Sequence, residues 1–346
     1  MLNPEVESRL SQHSSSDSIR PWPSAAMVYV KVMWTVVVCV MTALIIASQF
    51  LPNKGLYWVQ EEEQTCAHNS VNLSVYAEGN EKEMKRCDIP SPKLVGRTSV
   101  REGISEAEVE ANVTNVLPGG SWWPQDCEST WRLAVIVPYR NREVMVGPFL
   151  NHMHPFLQRQ LLNYTIFIVE QSRNKEFNRA KLLNIGYVLA QRSGPYDCYA
   201  FHDIDCVPED DRNLYNCADQ PRHLGVGMEK FTYKIPYESF YGCACLMTGW
   251  QVEKVNGWSN KYFGWGGEDD NMWRRIKAEK MKVWRVSDHL ATYATLKHEQ
   301  ATFNPQRMKM LQSSERDYKV DGLNSLQFTL LNATHRKLYT KFLVKL

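Results

Sequence analysis

The feature that most constrains the fold is an alternation of short apolar runs with amphipathic segments in the middle of the chain. The runs at residues 133–137, 164–169 and 198–204 are typical of buried strands, and a proline closes the first. Between them, residues 144–162 and 178–190 carry apolar side chains at helical spacing. Strands that alternate with helices assemble into parallel sheets. The sequence therefore predicts an α/β fold with a central, mainly parallel sheet.

The carboxyl ends of these strands are where a ligand site is expected. In open sheets of this kind, ligands bind in the crevice outside the carboxyl ends of the strands. The segments at the carboxyl ends of the three strands are Pro138-Tyr139-Arg140, Glu170-Gln171-Ser172 and Asp203-Ile204-Asp205. These segments are predicted to line the site.

A separate feature is the uncharged apolar run at residues 32–51, which is long enough to span a bilayer as a helix. The apolar region of a cleaved signal peptide would be shorter and nearer the N-terminus. Arg20 and Lys31 precede the run and Lys54 follows it, a small bias that places the N-terminus in the cytoplasm. We therefore expect a signal anchor at 32–51, a cytoplasmic tail at 1–31 and a lumenal remainder.

The rest of the chain fits the lumenal side. Residues 52–86 are polar and weakly periodic, which is typical of a stem, and a lumenal catalytic domain is predicted at 87–346. The chain has nine cysteines, and disulfides form in such a compartment. Glycosylation acceptor patterns begin at Asn72, Asn112, Asn163 and Asn332, the first two being the better candidates. The net charge of +2, with acids and bases interspersed, argues against a nucleic-acid-binding protein.

Asp203 and Asp205 are candidate metal ligands. Alternate residues of an extended strand point the same way, so the two carboxylates are expected to converge on one cation. Carboxylate and phosphate oxygens together suit Mg²⁺ or Mn²⁺. The alternative is a strand end with two solvated acids in a turn.

Residues 263–270 (FGWGGEDD) are a second candidate site. Glycines bring backbone close to a ligand, and Trp265 offers a flat face for a sugar ring. One of the three acids could have a pKa suited to removing a proton from a sugar hydroxyl. The alternative is a flexible acidic surface turn, but such a turn rarely places a tryptophan between glycines. His298, taken alone, is more typical of a structural histidine.

Together these segments resemble the animal β-1,4-galactosyltransferase family, from about residue 87 to residue 339. The matching stretches are VPYRNR at 137–142, HPFLQRQ at 154–160, FNRAKLLN at 177–184, DID at 203–205, QPRH at 220–223, GWGGEDD at 264–270, NPQR at 304–307 and DGLNSL at 321–326. The resemblance implies a nucleotide-sugar transferase fold of the A type in a single-pass type II protein of the Golgi membrane. It also implies a UDP-sugar donor, a glycan acceptor ending in N-acetylglucosamine, and Mn²⁺, with Mg²⁺ or another divalent cation as alternatives.

The resemblance assigns roles to individual residues. The implied donor-site residues are Pro138, Tyr139, Arg140, Arg142, Phe177, Arg179, Asp203, Ile204, Lys230, Phe240 and Trp265. The implied metal ligands are Asp205 and His298, with Thr295 as a further candidate. Asp269 is the implied general base, Glu268 shares the catalytic group, and the acceptor contacts are Trp265, Gly267, Glu268, Asp269 and Asp270. The implied disulfides are Cys87 with Cys127 and Cys198 with Cys217; Cys66, Cys206, Cys243 and Cys245 are unassigned.

The chain departs from the family pattern at positions that bear on metal and donor choice. Thr295 stands where the family commonly has a methionine ligand, and the segment after His298 is shorter than usual. Phe240 replaces a tyrosine that helps to select galactose or N-acetylgalactosamine. Asn271 replaces a fourth acid, with little expected effect. Gly267 resembles members that use N-acetylglucosamine or glucose acceptors.

The leading hypothesis is an inverting enzyme that makes a β-1,4-galactose linkage to terminal N-acetylglucosamine by single displacement. An N-acetylgalactosaminyltransferase with the same acceptor is the near alternative. An inactive lumenal glycan-binding protein is the alternative from another class, and Thr295 is its only support.

Overall fold

The computed structural model describes residues 58–61, 84–173, 175–299 and 301–346. Its helices are α1 (Glu106–Asn112), α2 (Glu143–Arg159), α3 (Arg179–Ser193), α4 (Gly249–Lys254), α5 (Glu268–Ala278), α6 (Arg307–Gln312) and α7 (Ser314–Asp317), with 3-10 turns at Glu229–Phe231 and Leu323–Ser325. Its strands are β1 (Trp58–Glu61), β2 (Ser121–Trp122), β3 (Arg132–Tyr139), β4 (Asn163–Gln171), β5 (Cys198–His202), β6 (Cys206–Pro208), β7 (Arg222–His223), β8 (Gly227–Met228), β9 (Ala244–Thr248), β10 (Trp284–Arg285), β11 (Thr292–Thr295), β12 (Gln327–His335) and β13 (Thr340–Lys345).

The main sheet has the strand order β1-β12-β13-β4-β3-β5-β9-β7-β10, and β2 pairs with β4. Its four central strands, β13, β4, β3 and β5, are parallel. Antiparallel pairings flank them at β12 and β9. A smaller sheet of β6, β11 and β8 lies apart from this order. The predicted mixed α/β class with a central, mostly parallel sheet is confirmed.

Helices cover both faces of the sheet. Leu133, Val135 and Val137 of β3 pack in one core cluster with the apolar side of α2. Ala134 and Ile136 point to the other face and pack with α3 and α5. Since successive residues of a strand point to opposite faces, a strand covered on both faces is a continuous apolar run. The three strands and two helices predicted between residues 133 and 204 are all found, with ends shifted by a few residues.

Helix α3 begins at a defined cap and packs closely on the sheet. The Asn178 side chain accepts a hydrogen bond from the Lys181 N–H at 2.8 Å, as expected of an N-cap. Gly186 faces β3 and β4; an added Cβ there would lie 2.3 Å from Ile136 Cγ2 and 2.9 Å from Val169 Cγ2. The missing side chain therefore sets how near α3 lies to the strands that carry the site.

Both disulfides implied by the resemblance are present, Cys87–Cys127 and Cys198–Cys217, with Cα–Cα distances of 4.9 Å and 5.6 Å. Cys206, Cys243 and Cys245 are buried and unbonded. Among the residues that the structure describes, no helix is both long and apolar enough to cross a membrane. The expected anchor at 32–51, the tail at 1–31, Asn72 and Cys66 all lie outside the described residues.

The contact at Gly186 predicts that Gly186→Ala destabilises the protein by about 1–3 kcal/mol, because the methyl group overpacks the helix–sheet interface. This loss opposes the gain of about 1 kcal/mol that alanine brings to a helix interior. Urea unfolding midpoints of the two proteins measure the difference. Gly249→Ala in α4 is the matched control, since its added Cβ would meet its nearest atom at an ordinary 3.4 Å. A Gly186→Ala protein as stable as wild type would contradict the packing argument.

Candidate active site

Asp203 and Asp205 lie directly after β5, next to the carboxyl end of β3. The expectation that they belong to an extended strand is wrong. The strand ends at His202, and the Cys206 N–H donates to the Asp203 carbonyl at 3.2 Å, which closes a turn. The turn nevertheless brings the carboxylates together, since their oxygens and Cys206 Sγ lie within 4.8 Å of one another.

Arg179 connects this turn to α5. Its Nε donates to Asp203 Oδ1 at 2.5 Å, and its Nη1 lies 3.8 Å from Glu268 Oε1. The guanidinium also lies 5.3 Å from the ring centroid of Trp258. Burial alone would lower the pKa of Arg179, but the charges of Asp203 and Glu268 outweigh it and raise that pKa. Arg179 is thus a charged bridge between the start of α3, the Asp203 turn and the start of α5.

Asp205 faces His298, which is 93 residues away in the chain. His298 Nε2 lies 3.0 Å from Asp205 Oδ2, and His298 Nδ1 lies 2.7 Å from the Glu299 carbonyl. Arg142 Nη2 donates to the same carbonyl at 2.7 Å. The hydrogen bond with Asp205 raises the pKa of His298. The reading of His298 as a structural histidine, made before the resemblance was considered, does not fit this position beside a candidate ligand.

The three consecutive acids are not in a surface turn. Glu268, Asp269 and Asp270 form the first turn of α5, which starts after Gly267 at φ +93°. Carboxylates are favoured at a helix N-terminus because the unpaired N–H groups there carry partial positive charge. Their side chains keep only part of their surface exposed to solvent. This placement offsets some of their mutual repulsion.

The Asp269 carboxyl is strongly perturbed. Burial, with the charges of Glu268 and Asp270, raises the pKa of Asp269 to about 7. Gly242 leaves room for it, because an added Cβ at Gly242 would lie 2.8 Å from Asp269 Oδ2. Asp270 instead accepts a hydrogen bond from Ser239 Oγ at 2.9 Å. Asp269 therefore has a pKa suited to exchanging a proton near neutral pH.

The glycine-rich segment places Trp265 at the surface, where its side chain is 44% exposed. Gly264 (φ +80°) donates its N–H to the Phe177 carbonyl at 2.8 Å. Trp265 lies 6.1 Å from Phe303 between ring centroids, and Arg307 lies over both rings. The exposed indole face is thus held in place by backbone and ring contacts and is open to a ligand.

The remaining predicted residues lie around the same strand ends. Pro138 and Tyr139 finish β3 and are buried. Arg140 lies 5.3 Å from the Phe177 ring centroid and donates to the Lys175 carbonyl. Ile204 is buried in the turn itself. These contacts group the expected donor-side residues at one edge of the sheet.

Lys230 and Phe240 approach the turn from the other side. Lys230 lies in a 3-10 turn; burial alone would lower its pKa, but the neighbouring Cys206 and Asp205 raise it. Phe240 is buried among Phe231, Tyr237 and His223, with ring centroids 5.5–5.8 Å apart. Phe240 is thus packed tightly on several sides.

The segment at the carboxyl end of β4, which is predicted to line the site, makes contacts within the fold. Glu170 forms a salt bridge with Lys341 at 2.5 Å, and the Ser172 N–H pairs with the Val344 carbonyl. Gln171 is buried, donates to the Lys175 and Glu176 carbonyls and accepts from the Asn178 N–H. Gln171 thus holds the loop that carries Phe177. Glu170 and Ser172 instead contact β13, the strand that pairs with β4.

The donor atoms in this region fit a divalent cation. His298 Nε2 and Asp205 Oδ2 lie 3.0 Å apart, so a cation that replaced the hydrogen bond between them could take both as ligands. Thr295 Oγ1 is buried and has no hydrogen-bond partner among the described residues. Carboxylate oxygen, imidazole nitrogen and hydroxyl oxygen are ligands that Mn²⁺ accepts.

Several residues of the site were not predicted. Ser239 and Tyr237 bond Asp270, and Arg285 donates to the Phe240 carbonyl at 2.9 Å and to His223 Nδ1 at 3.1 Å. No local pattern marks these side chains, because their partners are distant in sequence. Arg307 lies in the NPQR stretch at 304–307, and this motif is the sequence feature from which a role for Arg307 in the site could have been predicted.

Comparisons with known proteins identify the relatives of this chain. A family model described as the N-terminal region of glycosyl transferase group 7 matches residues 87–218, and one described as the N-terminal domain of galactosyltransferase matches residues 222–299. β-1,4-Galactosyltransferase 4 of Cricetulus griseus is 40% identical over 288 residues, covering 82% of this chain and 81% of that protein. The Homo sapiens protein of the same name is 39% identical over 303 residues, covering 86% and 88%.

Solved structures give the fold type. The catalytic domain of Drosophila β-1,4-galactosyltransferase 7 in complex with xylobiose is 27% identical, with a TM-score of 0.56, and covers 62% of this chain and 94% of that one. A mutant of that enzyme in complex with manganese, UDP-Gal and xylobiose has a TM-score of 0.53, with the same identity and coverage. The fold is therefore the A type of the nucleotide-sugar transferases.

Proposed function

The chain belongs to the β-1,4-galactosyltransferase family, and from that membership we propose that it transfers galactose from UDP-galactose to terminal N-acetylglucosamine of glycoconjugates. The family supports galactosyl transfer by a metal-dependent hexosyltransferase, with a sugar-nucleotide donor and a glycan acceptor. The linkage is β-1,4, and the reaction is an inverting single displacement.

The observation that carries this proposal is the position and pKa of Asp269. Its carboxyl has a pKa of about 7 and lies in the helix turn that Arg179 ties to the Asp203–Asp205 turn. A base with that pKa is ionised for part of the time at neutral pH and can take the proton of the acceptor O4. The deprotonated oxygen attacks the anomeric carbon from the face opposite UDP. An α-linked donor therefore gives a β-linked product.

Asp205 and His298 are proposed to hold the cation, with the Thr295 hydroxyl as a further ligand. Mn²⁺ is the proposed ion, and Mg²⁺ or another divalent cation is the alternative. When bound, the ion supplies positive charge that stabilises the departing diphosphate. Lys230 and Arg142, both in contact with this region, add positive charge on the donor side.

The other residues proposed to contact the donor and the acceptor lie around the same edge of the sheet. The proposed donor contacts are Pro138, Tyr139, Arg140, Arg142, Phe177, Arg179, Asp203, Ile204, Lys230, Phe240 and Trp265. The proposed acceptor contacts are Trp265, Gly267, Glu268, Asp269 and Asp270. Trp265 supplies an exposed flat face, and the acids accept hydrogen bonds from sugar hydroxyls.

We further propose that the enzyme is a type II protein of the Golgi membrane, with tail 1–31, anchor 32–51, stem 52–86 and lumenal catalytic domain 87–346. The two disulfides support an oxidising compartment for the catalytic part. Asn112 and Asn332 are exposed acceptor positions for glycans.

Phe240 leaves N-acetylgalactosaminyl transfer as a second candidate. The phenyl ring lacks the hydroxyl of the tyrosine that the family commonly has at this position. Its packing against Phe231, Tyr237 and His223 keeps the ring in place, so the space gained is that of one hydroxyl. UDP-galactose therefore remains the leading donor.

In a transfer assay with N-acetylglucosamine as acceptor, we expect Mn²⁺-dependent product from UDP-galactose. Asp205→Asn should lower the rate about 100-fold or more, because several kcal/mol of stabilisation by the ion are lost. Asp288→Asn, at an exposed aspartate outside the site, is the control. Faster transfer from UDP-N-acetylgalactosamine would favour the second candidate. No transfer with either donor, over several acceptors and metals, would favour an inactive glycan-binding protein.

For Asp269 we expect kcat/KM to fall about tenfold per pH unit below pH 7, because the base must be ionised to act. Asp269→Asn should lower kcat by about 10²–10⁴-fold. Its unfolding midpoint at pH 8 should equal or exceed that of wild type, since the folded protein no longer ionises a carboxyl whose pKa is raised. A pH-independent rate, or an active Asp269→Asn enzyme, would refute the assignment.

Thr295 can be tested with an isosteric change. Thr295→Val removes the hydroxyl and should raise the Mn²⁺ concentration for half-maximal binding several-fold, measured from the electron paramagnetic resonance signal of free Mn²⁺. Thr292→Val is a matched control on the same strand, since its Oγ1 is also buried without a partner among the described residues. Equal Mn²⁺ affinity in both variants would remove Thr295 from the ligand set.

A further inference from the structure

Arg285 ends β10, the strand at one edge of the main sheet, and lies opposite His223 of β7. Its Nε donates to His223 Nδ1 at 3.1 Å. Its Nη2 donates to the Glu238 carbonyl at 2.7 Å and to the Phe240 carbonyl at 2.9 Å. One side chain of this strand therefore binds the backbone of residues 237–242 at two points and a buried histidine at a third.

The contact with Arg285 also fixes the proton position of His223. An arginine N–H can only donate, so His223 Nδ1 accepts and Nε2 carries the proton. His223 Nε2 then donates to the Gly242 carbonyl at 3.0 Å. Burial, with the positive charge of Arg285, lowers the pKa of His223 to about 3, so the ring is neutral at neutral pH. Arg285 thus acts on a third carbonyl of the segment through the imidazole.

The segment at residues 237–242 lies next to groups that serve both substrates in the proposed function. The Phe240 ring is buried and packs edge-on against His223, with the ring centroids 5.5 Å apart. The Gly242 backbone approaches the proposed base, because an added Cβ there would lie 2.8 Å from Asp269 Oδ2. The position of this segment therefore affects the donor side and the base together.

Regular secondary structure does not hold this segment in place, since residues 237–242 belong to no helix or strand. Its carbonyl groups need partners from elsewhere in the fold. Hydrogen bonds from a charged donor are stronger than those between neutral groups. The planar guanidinium of Arg285 presents several N–H groups in a fixed geometry, whereas a lysine would offer one ammonium group. Arginine is thus suited to binding two carbonyls and an imidazole at once.

We propose that Arg285, through its carbonyl contacts and through His223, is a positioning residue that fixes the Phe240 ring and so makes the enzyme prefer UDP-galactose to UDP-N-acetylgalactosamine. The inference rests on the proposed function, in which Phe240 lines the donor site. A fixed ring leaves only the space of one hydroxyl beside the donor sugar, which is too little for an acetamido group. A ring freed from these contacts can move aside and admit that group.

The first test is donor selectivity, measured on the full chain in detergent as the ratio of kcat/KM for UDP-galactose to that for UDP-N-acetylgalactosamine. Arg285→Met should lower this ratio about 3–10-fold, since a displaced pocket wall discriminates less between donors of different size. A purely structural loss would lower both values alike, because both donors are measured with one preparation. Arg285→Lys keeps the charge and the aliphatic stem; it should shift the ratio in the same direction and serves if Arg285→Met does not fold.

Arg222→Met is the matched control. Arg222 lies on the neighbouring strand β7, is 6% exposed and also binds backbone carbonyls, those of Leu214 and Asn216. These partners lie outside residues 237–242. Arg222→Met should therefore destabilise the fold and leave the donor ratio unchanged.

The second test needs no catalysis. Amide hydrogen exchange of the substrate-free full chain, followed by mass spectrometry, reports how readily a segment opens. Peptides covering residues 237–243 should exchange about tenfold faster in Arg285→Met, because hydrogen bonds to a charged donor are lost. Peptides covering residues 133–137 should exchange as in wild type. Arg222→Met should leave the exchange at 237–243 unchanged.

The two tests separate this inference from the proposed function. Wild-type exchange at 237–243 in Arg285→Met, an unchanged donor ratio, or a wild type that prefers UDP-N-acetylgalactosamine would each overturn the inference. A wild type that transfers from neither donor, with faster exchange in Arg285→Met, would lose the proposed function and retain the positioning of the segment by Arg285.

Discussion

The active-site region depends on one buried cation, Arg179. Five carboxylates gather here, at Asp203, Asp205 and residues 268–270, and like charges at short range in a partly dry site oppose folding. Arg179 contacts Asp203 and Glu268 and lies over the Trp258 ring. Removing one partner of such a pair typically costs about 3–5 kcal/mol, because the other is left buried and uncompensated. Arg179 thus decides whether the turn after β5 and the start of α5 can lie side by side.

Arg179 compensates only part of the negative charge of these carboxylates, and the uncompensated part sets the pKa of the proposed base. Arg179 contacts Asp203 and Glu268 directly, whereas it acts on Asp269 only through its charge at a longer distance. Burial and two acidic neighbours therefore raise the Asp269 pKa to about 7. Burial alone would also raise the Asp205 pKa, but the hydrogen bond with His298 and the charge of Lys230 outweigh it and lower that pKa. Two aspartates of one site are thereby suited to different tasks, proton exchange and cation binding. The site is less stable than an uncharged one would be, a trade that is common at catalytic centres.

Local patterns predicted the parts of the fold that depend on local physics. The runs around β3, β4 and β5 are apolar because helices cover both faces, and the helical spacing of α2 and α3 follows from the same burial. No local pattern indicated that the acids at 268–270 begin helix α5, because this helix starts after a left-handed glycine and lacks a side-chain cap. Contacts across long separations, such as Asp205 with His298 or Asp270 with Ser239, leave no local signal. The resemblance supplied the first pair, and nothing in the sequence supplied the second.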